Sequence, residues 1–123
     1  MFLIDTNVVI RAIAGQNPDA RFLRTAIERN QVSLSVITVA EFLTRASKKE
    51  EEAFEKLLQA FPVFPVDEET ARVAASYRKR FLKTTKAKLL DFLLAAQAKT
   101  HNTIFVTNNR SDFPMRDIRV IAP

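Results

Sequence analysis

A chain of 123 residues with 47% apolar content and ten Phe can build one sizeable core, is too short for two domains, and does not have the composition of a disordered segment. No Cys and a single His exclude disulfides and any thiolate or all-histidine zinc site, so a metal ion would have to be held by oxygen, as Mg2+ or Mn2+ is. The formal charge is +5, no run approaches the ~18 apolar residues of a membrane span, and no basic stretch precedes an apolar one at the start. A cytoplasmic protein without a membrane anchor is therefore expected.

Phe2–Asp5 reads as a short buried strand that ends on an acid. Asn7–Ala14 is predicted helical, stopping at Gly15, the only Gly and a plausible C-cap. Asn17-Pro18 opens a second helix, with Asn as N-cap and Pro at N1. Along it Phe22, Leu23, Ala26 and Ile27 form an apolar stripe. Val32–Ser35 is a second strand, and Thr38–Ala46 a helix. Ser47-Lys48-Lys49-Glu50 is a capping box that starts the next helix, expected to bury Phe54, Leu57, Leu58 and Phe61. These two helices are expected to pair as an antiparallel hairpin.

Val63–Val66 is a third strand, placed at a sheet edge by Pro62 and Pro65. Asp67 caps a long helix reaching Leu82. A basic loop follows, then an apolar helix over Leu89–Lys99, a strand over Thr103–Thr107 and a short last strand over Ile118–Ile121. Strands separated by helices predict an α/β fold, with a parallel sheet covered on both faces.

Four acids stand out. Asp5 sits at the carboxyl end of the first strand, the edge where open α/β sheets bind ligands, although it would also serve as a helix cap. Glu41 closes a possible capping box, Thr38-Val39-Ala40-Glu41. Asp91 shares a helix face with Leu94, Ala95 and Ala98 and has no base at i±4, so its carboxylate needs compensation, for which a metal ion is the natural candidate. Asp112 lies in the loop after Thr107, where an Asx turn is the alternative. Four carboxylates drawn together would repel or take up protons unless a cation joined them. With those four neutralised, 19 bases would face 10 acids, an excess suited to a polyanionic partner.

Ile4-Asp5-Thr6-Asn7, Thr38-x-x-Glu41, Asp91-x-x-Leu94-Ala95-Ala96 and Thr107-x-Asn109-x-x-Asp112-Phe113 together resemble, in order and spacing, the PIN domain. More narrowly they resemble the VapC-type toxin ribonucleases of toxin–antitoxin pairs. The resemblance spans the chain, 1–123, as a single domain. It implies a PIN-like three-layer sandwich with four to five parallel strands. It also implies Mg2+ or Mn2+ held by Asp5 and Asp91, with Glu41 and Asp112 completing the acidic cluster, and supporting roles for Thr6, Asn7, Thr107 and Asn109. The activity implied is endonucleolytic cleavage of RNA, and the partners implied are a small antitoxin and a second copy of the chain. Two departures are visible. His101-Asn102 replaces a Gly usual before the fourth strand, where Asn still tolerates a left-handed turn. No Pro or Gly precedes Asp91.

Arg78-Lys79-Arg80, Lys83, Lys86 and Lys88 form a basic run without an acid. It reads either as a solvated helix face and loop or as an RNA path. His101, between a helix and a strand with no acid beside it, reads as a helix-end residue rather than a base. Two rival functions remain at this level. A phosphotransferase of the haloacid dehalogenase type would need a second Asp where Asn7 stands. A non-catalytic metal- or partner-binding module would not need all four acids.

Overall fold

A computed structural model describes all residues, 1–123. Its elements in chain order are β1 (Phe2–Ile4), α1 (Thr6–Ile13), α2 (Asp19–Glu28), β2 (Val32–Ser35), α3 (Val36–Arg45), α4 (Lys48–Ala60), β3 (Val63–Phe64), α5 (Glu68–Phe81), α6 (Leu89–Thr100), β4 (Ile104–Val106) and β5 (Val120–Ile121). The five strands form one parallel sheet in the order β3-β2-β1-β4-β5. The Pro-flanked β3 lies at one edge, as its prolines require.

Strand alternation divides the core in two. Leu3 and Phe105 face one side and pack with Phe92, Ala95, Ala74 and Tyr77 of α6 and α5. Ile4, Val106, Val32 and Leu34 face the other and pack with Val8, Leu23, Phe42 and Phe54. Successive residues of one strand thus serve opposite layers, which makes the molecule a helix–sheet–helix sandwich. The tightest helix pair is α5 with α6. The helices α3 and α4 meet through Phe42 stacked on Phe54, with ring centroids 4.2 Å apart, but do not pack closely along their length as the expected antiparallel hairpin would. None of the ten Phe is exposed, so the aromatics are core material and leave no aromatic surface patch. The larger exposed apolar side chains include Val36, Leu43, Leu82, Leu89 and Leu90. No helix is long and apolar enough to cross a membrane.

Local signals hold at several ends. Gly15 has φ +79° and ends the first helical segment. The Ser47 capping box is made in both directions, Ser47 N to Glu50 Oε1 at 2.9 Å and Glu50 N to Ser47 Oγ at 3.2 Å. Asp67 accepts from Thr70 N at 2.8 Å and caps α5. Asn102 takes φ +51°, the left-handed turn a Gly would otherwise supply.

Several boundaries differ. The helix α2 begins at Asp19 with Pro18, not Asn17, at the N-cap position and no side-chain cap bond, and β3 and β5 are shorter than expected, Val63–Phe64 and Val120–Ile121. The helix α3 begins at Val36, directly after β2, because Ser35 is its N-cap and accepts from Ile37 N at 3.0 Å. Thr38 is therefore inside the first turn, and Thr38–Glu41 is not a capping box.

Candidate active site

β1 and β4 are adjacent and parallel, so the residues just beyond them, Asp5 and Thr107, share the carboxyl edge of the sheet. Asp5 is the N-cap of α1 and accepts from Thr6 N at 2.8 Å through Oδ1. Its Oδ2 accepts from the Thr107 hydroxyl at 2.7 Å. That hydroxyl oxygen in turn accepts from Asn109 N at 3.1 Å. Asp5 is thus a helix cap as well as a candidate site residue. Two of its roughly four lone-pair positions stay free.

Thr6 carries the second arm. Its hydroxyl donates to Glu41 Oε1 at 2.7 Å. A hydroxyl has one proton, so at the 3.0 Å contact between Thr6 and Thr38 the Thr38 hydroxyl is the donor. Thr6 and Thr38 are buried, and they tie Glu41 on α3 to the start of α1.

Asp91 enters from α6. Its Oδ2 accepts from Lys88 N at 2.8 Å, in the first turn of the helix. Its charge therefore has a backbone partner of its own, and the carboxylate is half-buried rather than sealed in the apolar face. The metal ion expected to compensate Asp91 is thus joined by a backbone partner, a contact that a survey of side chains at i±4 does not see.

The strain falls on Asp5. Burial is the largest cause pushing its carboxyl up from 3.8 to about 6, against the Thr107 and Thr6 hydrogen bonds, with the like charges of Asp91 and Glu41 adding to the rise. Those two acids are the carboxylates whose charge reaches Asp5. Asp112 lies to one side, in a 3-10 turn over Arg110–Asp112, lining a cleft with Lys83, Thr84, Thr85 and Lys86. Its carbonyl accepts from the Thr85 hydroxyl at 2.6 Å, which fastens the basic loop to the loop after β4.

No three acids are already gathered at coordinating distance. The donor chemistry nevertheless suits a hard divalent cation: every candidate donor is a carboxylate oxygen, and Asp5 carries an ionisation penalty that a cation would offset.

The other expected residues divide. Asn7 and Asn109 are exposed and line a separate cleft with Arg11, Arg45 and Asn108. Arg78, Lys79, Lys83, Lys86 and Lys88 are all exposed and form no ion pair. His101 caps the C-terminal end of α6 and stacks on Phe64 at 3.7 Å between centroids. It stands roughly 15 Å along the helix axis from Asp91 at the other end, so it takes no part in the acidic site.

Sequence reasoning passed over Asp19. Its side chain is wholly buried at the start of α2, bound by Arg11 Nε at 3.3 Å and by Asn108 Nδ2 at 2.8 Å. It joins α1, α2 and the loop after β4. The available signal was Arg11, a base eight residues before an acid, but nothing local marks Asp19 as buried.

Comparison with known proteins bears on the fold and the family. The family model described as "PIN domain" matches residues 2–118. Ribonuclease VapC10 of Mycobacterium tuberculosis is 29% identical over 116 residues, covering 94% of this chain and 87% of that protein. A toxin–antitoxin complex from Klebsiella pneumoniae contains a chain with TM-score 0.79 and 26% identity, over 98% of this chain and 96% of that one. The VapBC2 structure from Rickettsia felis, bound to a DNA fragment from its promoter, has TM-score 0.81 at 19% identity over 99% and 98%. At that identity it speaks to the fold alone.

Proposed function

We propose, on the premise that the chain belongs to the PIN domain family, that it is a metal-dependent endoribonuclease acting as the toxin of a toxin–antitoxin pair and forming a single such domain over 1–123. The observation that carries the proposal is the buried Asp5, raised to about 6 among Glu41 and Asp91 at the carboxyl edge of the sheet. A purely structural cap would not be placed among like charges. The resemblance to a ribonuclease and to a toxin–antitoxin complex supplies the substrate and the biological setting.

Asp5 and Asp91 would hold Mg2+ or Mn2+ directly, and Glu41 and Asp112 would contact it directly, through water, or steer the attacking water. The bound cation supplies charge neutralisation at a scissile phosphate and acidifies a water. The chain's own residues do the rest. Thr107 and the Thr6 backbone fix both oxygens of Asp5, so its orientation is set before substrate arrives. Thr6, supported by Thr38, fixes Glu41. The Lys83–Lys88 loop, fastened to the loop of Asp112 by Thr85, lies beside the acids as a track for the RNA backbone.

Replacing Lys83, Lys86 and Lys88 by Glu is expected to weaken RNA binding. The slope of log affinity against log salt should become shallower by about 0.7 for each phosphate that is no longer neutralised. An unchanged slope in a filter-binding titration would put the RNA path elsewhere. The antitoxin would act by filling the acidic pocket, where an Arg side chain matches a carboxylate pair. The exposed aliphatic residues Val36, Leu43, Leu82 and Leu89 would form the surfaces for that partner and for a second copy.

The reading is tested in cells. Expression alone should arrest growth, coexpression with a neighbouring small open reading frame should restore it, and 5′-end sequencing of RNA after a short induction should reveal new cleavage ends. Equal arrest by Asp5→Ala and the parent would contradict it, because toxicity would not then depend on the acids.

A further inference from the structure

Apart from the acids and the Lys83–Lys88 loop, a second polar cleft of about 430 Å³ is lined by Asn7, Ile10, Arg11, Arg45, Asn108 and Asn109. We infer that this cleft, distinct from the one beside the Lys83–Lys88 loop, is a second RNA subsite, which takes a backbone phosphate and its nucleotide. The inference rests on the nuclease reading and deepens it.

The lining is rich in donors and contains no acid. Arg45 forms no ion pair and Arg11 forms one, at Nε only, with Asp19. Asp19 is fully buried while Arg11 is 45% exposed by side chain. The pair therefore works as an anchor: the buried carboxylate fixes the guanidinium, and both Nη groups stay available to an anion. Asn108 is held by the same carboxylate. Two of the six lining residues are thus set in place by a group that contacts no ligand. Ile10 adds an apolar surface suited to a ribose or base.

The cleft is also tied to the site. Asn7 is two residues beyond Asp5, and Asn109 N donates to the Thr107 hydroxyl that holds Asp5. The cleft with Asp112 lies among Lys83 and Lys86. An RNA strand engaging both basic clefts would be held by two phosphate grips, one adjoining Asp112 and the other linked to Asp5, which restricts which bond is presented.

The test uses the full chain and a single-stranded RNA that the parent cleaves. Arg11 is left intact, since removing it would strand Asp19. Arg45→Gln should raise KM about tenfold with kcat nearly unchanged, and in EDTA should lower the salt slope of RNA binding by about 0.7. Arg45→Lys should restore the slope, because it keeps the charge. Lys56→Gln, on the exposed face of α4, should behave as the parent. If Arg45→Gln binds and cleaves RNA as the parent does, with the same salt slope, the subsite does not exist, although the nuclease reading stands. If that variant instead loosens only the antitoxin complex, the cleft belongs to a protein partner and the inference is overturned. If the parent neither binds nor cleaves RNA in Mg2+ or Mn2+, the nuclease reading and the subsite fall together.

Discussion

Asp5→Asn is expected to reduce RNA cleavage by roughly a thousandfold or more, yet to make the metal-free protein more stable at pH 7. Asp5 has a folded value of about 6 against 3.8. Between those values the folded state holds a proton that the unfolded chain has released. Stability therefore falls as pH rises from about 4 to about 6, and the full penalty of about 3 kcal/mol applies above that window. An amide carries no such penalty. It does lose something, because Asp5 accepts from Thr6 N and from the Thr107 hydroxyl on different oxygens, and an amide has only one oxygen. Re-pairing Thr107 against the amide nitrogen should cost about 1 kcal/mol. The net gain at pH 7 is about 1–2 kcal/mol, and at pH 3 the variant should be the less stable protein by about 1 kcal/mol. Urea unfolding at the two pH values in EDTA checks the crossing. Equal stability differences at both would mean that Asp5 is not strained. Asp91→Asn should change stability less, because the amide oxygen can still accept from Lys88 N.

Arg11→Met is expected to destabilise the fold by about 2–3 kcal/mol, since it leaves a fully buried carboxylate without its cation. The cost falls below the ~3–5 kcal/mol of a fully sealed pair because Arg11 itself is partly exposed and Asn108 still donates to Asp19 at 2.8 Å. Combining it with Asp19→Asn removes the orphaned charge, so the double variant should recover most of the stability. Additive losses in thermal or urea unfolding would show that the pair does not act as a unit. Because the network also holds Asn108, the single variant should lose RNA affinity beyond what its lower stability explains.

Much of this architecture is legible in the chain itself. Leu3 and Ile4, like Phe105 and Val106, serve opposite core layers, so short wholly apolar strands between amphipathic helices point to a covered parallel sheet. Ser47, Asp67, Gly15 and Asn102 act within a few residues of themselves, and local sequence suffices to place them. The start of α3 was less accessible, because strand and helix abut without a loop and Ser35, the last strand residue, is the cap. Thr38-x-x-Glu41 offered an equally good box three residues later. In the fold, Glu41 is held instead by Thr6, from 35 residues away.

The acids could be nominated from the sequence, their roles less so. The like charges of Glu41 and Asp91 reach Asp5 without three acids meeting at coordinating distance, and periodicity gave the strain to Asp91, whereas the fold gives it to Asp5. A backbone N–H satisfies the first, and burial at the sheet edge penalises the second. Asp19 went unnoticed because a first-turn acid after Pro is ordinary on a helix. Only the return of the chain at Asn108 makes it interior.

The most direct test of the account is single-turnover cleavage of an end-labelled RNA by the purified parent and by Asp5→Asn, each in EDTA, Mg2+ and Mn2+. The account predicts defined internal cuts by the parent in either metal, none in EDTA, and none by the variant in any buffer while it stays folded. Cleavage by the parent in EDTA, or by Asp5→Asn at the parent's rate, would contradict it.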